Sequence, residues 1–329
     1  MSLSLPKLIL LPAAAVGVAA VALVAALAAP LRMPPPLASI HAGAMNIDRK
    51  GMPALSRFQA RDGTWLAYRL YPAQDGATDR LAIVTHGSSA ASDEMNVVAR
   101  TLAQNGVAAV SIDQRGHGAS GTRGDIAYLG QLDDDLADLI GEMRKSYPSA
   151  RLELIGHSAG GGFTLRIAGG PLGAQFDRFV LLAPYLGYGA PTNRPNVGAG
   201  KWVEVDFPRI VALTLLNRLG NTWAQSLPVI AFANAPEATP FVTNSYSARL
   251  AGNYGPPADW RTAFQAAAGR IEVIVGENDE LMNAPAYRDA VEPLGAKVSL
   301  LPDVDHLGIV HRPAALAAIV AAAAPAAVR

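Results

Sequence analysis

The sequence predicts an α/β fold, a mostly parallel sheet with helices on both faces and a cap inserted over it. Three observations carry this: six short apolar runs separated by helical stretches, an antiparallel hairpin ahead of them, and one long segment that interrupts the alternation. The runs are Leu81–Thr85, Val107–Ile112, Leu152–Ile155, Phe179–Leu182, Ile271–Val275 and Lys297–Leu301. Four to six residues of largely β-branched and aliphatic side chains, bounded by turn residues, are the pattern of strands buried on both faces. Helices are expected between them near Ser92–Asn105, Leu132–Lys145, Gly160–Ala168, Ala284–Leu294 and Pro313–Ala323. Strand alternating with helix calls for right-handed crossovers and two helical layers.

The hairpin precedes these runs. Phe58–Ala60 and Thr64–Tyr71 flank Arg61-Asp62-Gly63, a short glycine turn between strand-forming segments. The interruption lies between Pro184 and Arg270, where more than eighty residues rich in proline, glycine and aromatics carry no parallel-strand pattern. A structureless loop of that length is foreign to a compact domain, so a small, largely helical cap is expected. The chain thus divides into residues 57–184 and 270–329 as the two parts of one α/β core, with 185–269 as the cap.

Ahead of the core, Leu8–Ala29 is a stretch of 22 residues with no charged or strongly polar side chain. As a helix it would be roughly 33 Å long, about the thickness of a bilayer core. Residues 1–30 therefore read as an uncleaved membrane anchor. A signal peptide cleaved near Ala26-Leu27-Ala28 is the alternative. The α/β domain is then expected outside the cytoplasm, in the periplasm if the source is bacterial, or secreted if the segment is cleaved. Residues 31–56, with Met33-Pro34-Pro35-Pro36, read as a linker.

Composition narrows the chemistry. Acidic and basic residues balance at 27 each with no run of five like charges, which argues against a nucleic-acid or polyanionic partner. The absence of cysteine removes disulfides, zinc–thiolate sites and thiol nucleophiles together. A nucleophile must be sought among the hydroxyls.

Gly156-His157-Ser158-Ala159-Gly160 supplies one, between the strand at Leu152–Ile155 and a helix. A sharp strand-to-helix turn lifts a serine hydroxyl clear of the sheet edge, and it tolerates only small residues two before and two after. Serine needs a base, and the base needs an orienting acid. Of six histidines, His306 stands in the loop after the last strand, where catalytic groups of a parallel sheet converge. It is the candidate base, with His311 as runner-up. Asp279, in Gly276-Glu277-Asn278-Asp279-Glu280 after the preceding strand, is the candidate acid. Two backbone donors are expected for an oxyanion: Ala159 directly after the nucleophile, and Ser88 in the loop His86-Gly87-Ser88-Ser89. This chemistry calls for no cofactor and no metal.

These segments, together with Asp113-Gln114-Arg115-Gly116-His117-Gly118-Ala119-Ser120, resemble the α/β-hydrolase superfamily and its serine aminopeptidase and monoacylglycerol-lipase-like branch, over about Phe58–Ala323. The resemblance implies an α/β-hydrolase fold with an eight-stranded sheet, a variable cap, and hydrolysis of a small-molecule acyl substrate, a carboxylic ester first among them. It also implies that the Arg115–Ser120 segment is a structural turn rather than a catalytic one. Thioesterase, peptidase and acyltransferase chemistries use the same triad, and a catalytically silent binding protein can keep the fold. Oligomeric state is left open by the sequence.

Overall fold

The computed structural model describes residues 5–194, 201–238 and 240–323. Two helices come first, α1 (Leu5–Ala28) and α2 (Ala38–Met45). The hairpin follows as β1 (Ser56–Gln59) and β2 (Trp65–Tyr71), then β3 (Arg80–Thr85), α3 (Asn96–Gln104), β4 (Ala108–Ile112), α4 (Gln131–Met143), β5 (Arg151–His157), α5 (Ala159–Ala168) and β6 (Arg178–Leu182). The cap contributes β7 (Val203–Val205), α6 (Phe207–Arg218), β8 (Pro228–Phe232), β9 (Ser245–Ser247), α7 (Ala248–Asn253) and α8 (Trp260–Ala266). The core closes with β10 (Ile271–Gly276), α9 (Ala286–Val291), β11 (Lys297–Leu301) and α10 (Pro313–Ala323).

Eight strands form one sheet in the order β1-β2-β4-β3-β5-β6-β10-β11. The six strands from β4 to β11 run parallel, and β1 and β2 are antiparallel at one edge. All six apolar runs and the hairpin take the places expected of them. Alternation along each strand feeds two separate cores, because successive side chains point to opposite faces. Leu81, Ile83, Val110, Leu154 and Leu181 pack on one side with Leu132, Leu136, Phe163 and Phe264 from α4, α5 and α8. Ala82, Val84, Ala109, Ile155 and Val180 pack on the other with Val98, Leu102, Ile309 and Ile319, from α3, α10 and the turn before α10. A sheet covered on both faces needs apolar residues at every position, which is why its strands read as unbroken apolar runs.

The Arg115–Ser120 turn is held by buried charge. Arg115 Nε and Nη2 donate to both carboxylate oxygens of Asp135 at 2.8 and 2.7 Å, and its other face meets Asp62 of the hairpin turn at 2.9 and 3.1 Å. Burial alone would lower the guanidinium's pKa, but the two carboxylates outweigh it and raise it. Asp113 accepts the Ser92 and Ala119 amides at 2.8 Å each, closing the loop from the other end. Removing one partner leaves a buried carboxylate uncompensated, so Arg115→Met is expected to cost about 3–5 kcal/mol of stability. Urea unfolding followed by circular dichroism measures it. A loss below about 1 kcal/mol would show that the pair is effectively solvated.

Two regions differ from the sequence reading. The stretch read as a linker contains α2, and its Ile40 is buried together with Ile47 just beyond it. The Cβ that Gly43 lacks would stand 2.9 Å from Leu307, so α2 lies against the loop after β11. The cap is mixed rather than largely helical, since β7, β8 and β9 form a three-stranded antiparallel sheet in that order. β7 and β9 are only three residues long and contain polar residues, too short to register as periodicity, and β8, though apolar, opens on a proline.

The anchor reading over Leu8–Ala29 falls in part on residues 8–15, whose side chains lie outside the described residues. Among the described residues no helix is long and apolar enough to cross a membrane. The C-terminal end of α1 packs on the cap: Leu27 joins Leu213, Ala224 and Val229, and Arg209 of α6 reaches the Ala26 carbonyl at 3.4 Å. Val16, Val18, Val21 and Val24 of α1 are exposed.

Candidate active site

Loops leave the carboxyl edge of the sheet after the adjacent strands β3 and β5 and, beyond β6, after the adjacent strands β10 and β11. The β5–α5 turn is the sharpest. Ser158 has φ 53° and ψ −114°, a conformation rarely adopted by a residue with a side chain, and its amide donates to the Leu182 carbonyl at 2.8 Å. The glycines around it have no room for anything larger. A Cβ on Gly156 would collide with the Gly160 carbonyl, and one on Gly160 would stand 2.8 Å from Thr85 O. The pattern Gly-x-Ser-x-Gly is thus imposed by the crossing of β5 and α5, and the strain it stores faces the serine outward.

His306 and Asp279 meet across the neighbouring loops. His306 Nδ1 lies 2.8 Å from Asp279 Oδ2, with both side chains buried. Asp279 Oδ1 accepts the amides of Leu281 and Met282 at 2.8 and 2.7 Å, which fixes the carboxylate in its turn. A carboxylate accepts, so Nδ1 donates and Nε2 is left as the free, basic nitrogen. Burial alone would lower the His306 pKa. The charge and hydrogen bond of Asp279, with Glu280 and Glu94 adding to them, outweigh burial and hold it above the ordinary histidine value.

Ser158 and His306 both line one pocket, about 810 Å³ with its open mouth. Among the described residues no hydrogen bond joins Ser158 Oγ to His306; such contacts commonly tighten only when substrate binds. Ile40, Ala44, Met45 and Ile47, of α2 and the segment after it, line one side of the pocket, and Trp202, Val242, Leu281 and Leu307 line others. Arg49, Asp93 and Glu94 supply polar lining.

Of the expected oxyanion donors, Ala159 follows the serine directly and Ser88 lines the same pocket, and neither amide donates to a protein acceptor among the described residues. The cap holds the loop that carries Ser88. Trp202 Nε1 donates to Ser88 Oγ at 2.9 Å, Asn234 Nδ2 to Ser89 Oγ at 2.8 Å and Thr243 N to Ser89 O at 2.7 Å. The Ser89 amide donates to Tyr246 Oη at 2.7 Å, and Ser89 itself sits at φ 70°. No local sequence pattern signals these clamps, because they join the β3 loop to residues more than a hundred positions away.

The remaining histidines have other partners. His86 is buried, with Nε2 accepting the Gln114 amide at 3.2 Å, and His117 Nε2 lies 2.6 Å from Tyr246 Oη. His311 stands half-buried ahead of α10 and makes no hydrogen bond to the triad candidates among the described residues. His41, read as a linker residue, lines the pocket mouth from α2 and lies 3.4 Å from Glu237. Asp305 accepts the Gly308 amide and Asp303 takes φ 58°, so both are turn residues.

The eight-stranded sheet, the strained elbow and the loops converging on it define an α/β serine hydrolase. The profile of the family described as Hydrolase_4, serine aminopeptidase S33, matches residues 76–307, and the chain belongs to that family. Among solved structures, the chain is similar to a soluble variant of monoglyceride lipase from Saccharomyces cerevisiae in complex with a substrate analogue. The two share 15% identity and a TM-score of 0.61, over 83% of this chain and 94% of that one. It is similar also to Est1E from Butyrivibrio proteoclasticus with bound ferulic acid, at 16% identity and TM-score 0.54 over 81% of this chain and 96% of that one. A third is described as a membrane phospholipase A, a bacterial virulence factor, at 17% identity and TM-score 0.55 over 98% of this chain and 99% of that one. At these identities the likeness is one of fold.

Proposed function

We propose that the protein hydrolyses carboxylic esters with a fairly apolar acyl part, with Ser158 as nucleophile, His306 as general base and Asp279 as its orienting acid. The observation that carries this is the buried 2.8 Å His306–Asp279 hydrogen bond at the same pocket as a serine in a strained elbow. His306 Nε2 takes the Ser158 proton as Oγ attacks the ester carbonyl, and the amides of Ser88 and Ala159 receive the negative oxygen. The proton passes from His306 to the departing alcohol, and water, deprotonated by the same nitrogen, then releases the acid. Fold neighbours named as a monoglyceride lipase, an esterase and a phospholipase support an acyl substrate. The apolar side chains of α2, Leu281 and Leu307 support an aliphatic chain.

A series of p-nitrophenyl esters tests the substrate class. Each buried methylene contributes about 0.8 kcal/mol, so kcat/KM is expected to rise about fourfold per added carbon until the chain outgrows the pocket. A flat profile, or cleavage of an aminoacyl amide in preference to every ester, would contradict the reading.

We further propose that α1 holds the domain at a lipid membrane. The reading is supported by the uncharged sequence Leu8–Ala29, and by the apolar side chains of Val16, Val18, Val21 and Val24 standing exposed where water would be the alternative.

A further inference from the structure

Glu94 and His157 are buried at the active site, and the triad mechanism uses neither of them. Glu94 Oε1 lies 2.9 Å from His157 Nδ1 and accepts the Gly87 amide at 2.7 Å. On the far side of the ring, His157 Nε2 lies 3.1 Å from the His306 carbonyl. One side-chain pair therefore touches three loops: Gly87, next to the oxyanion donor Ser88; His157, next to the nucleophile; and the backbone of the base His306. The His157 and His306 rings are 4.8 Å apart, centre to centre.

The partners set the protonation. A carbonyl oxygen only accepts, so Nε2 donates to His306 O. Burial alone would raise the Glu94 pKa, but His157 and the Gly87 amide lower it, so the carboxyl is ionised and Nδ1 donates as well. The ring thus bridges the Glu94 carboxylate and the His306 carbonyl, one nitrogen to each. Around the pair, Asp93, tied to Arg49 at 2.7 Å, and His86 lie near Glu94, Glu280 accepts the His306 amide at 3.0 Å, and the His306 ring packs on His157.

We propose that Glu94 and His157 form a buried ionic strut that sets the distance between the oxyanion loop and the His306 loop, making both of them positioning residues for the transition state. The inference rests on the ester-hydrolase reading. Oxyanion donors act only once the carbonyl oxygen turns negative, so a loosened strut weakens transition-state binding and leaves ground-state binding nearly intact.

The test combines kinetics and NMR on the full chain. Glu94→Gln removes the charge while keeping an acceptor for the Gly87 amide, and His157→Gln keeps one donor should the first variant fold poorly. With p-nitrophenyl butyrate, kcat is expected to fall about 10- to 100-fold with KM within about threefold, since loops misplaced by an ångström lose about that much. Affinity for a trifluoromethyl ketone, which forms a tetrahedral oxyanion with serine, should fall in parallel. A rise in KM alone, or a lowered thermal midpoint with kcat and inhibitor affinity unchanged, would overturn the proposal. Independently of activity, long-range proton–nitrogen NMR at neutral pH should show His157 with both ring nitrogens protonated, and a neutral tautomer would remove the strut. If the unaltered protein cleaves no ester, the functional reading fails while the NMR signature still reports on the pair.

Discussion

Ester hydrolysis by Ser158→Ala is expected to fall about a millionfold in kcat, leaving only the acceleration that binding and oxyanion donors supply without a nucleophile. Ser158 Oγ is the sole atom of the proposed machinery that forms a bond to substrate, and the other serine hydroxyls lining the pocket, Ser88 and Ser89, are held by Trp202 and Asn234. His306 does not touch the ester carbonyl carbon, and the chain has no cysteine. The fold should survive, because alanine fills the same elbow and the φ of 53° is imposed by Gly156, Gly160 and the crossing of β5 with α5. Active-site titration guards against contaminating esterases. Retention of more than about a thousandth of the rate by the folded variant would exclude Ser158 as nucleophile.

Asp279→Asn is expected to be the next most damaging change, lowering kcat by about 10⁴. An amide oxygen can accept from Nδ1, but the amide nitrogen can instead present a donor to it and stabilise the wrong tautomer. The pH profile separates this from general damage. His306 must be neutral to accept the serine proton, so activity is present above its pKa and lost as pH falls through it. Asp279 and its acidic neighbours raise that pKa against the effect of burial, placing the acid limb of kcat/KM above the ordinary histidine value. Removing the Asp279 charge leaves burial less opposed, and the limb should move to lower pH. An unmoved limb with full kcat would assign the orienting role elsewhere.

The sheet and the elbow were legible because each is written locally. A strand buried on both faces is a short apolar run, and a tight strand-to-helix crossing demands glycines at fixed spacing, so β3 to β6, β10, β11 and Ser158 can be found without tertiary information. Asp279 and His306 were reachable because the parallel topology sends the loops after β10 and β11 to the same edge. What was not legible depends on distant pairing. The eight residues of α2 look like linker, and only contact with Leu307 shows that they line the pocket. Glu94 reads as an acidic residue at the start of a helix, where it would be favourable in isolation. Its actual partner, His157, lies 63 positions away. The cap strands escape local reading for the same reason: β7, β8 and β9 are defined by pairing with one another rather than by their own alternation.

In the proposed mechanism one serine, lifted out of the sheet edge and served by His306, carries the chemistry. Labelling the unaltered protein with a fluorophosphonate and locating the adduct by peptide mass spectrometry tests it most directly. A single adduct on Ser158 is expected, formed faster as pH rises through the His306 transition and absent from both Ser158→Ala and denatured protein. An adduct on any other residue, or none on folded protein that hydrolyses esters, would contradict it.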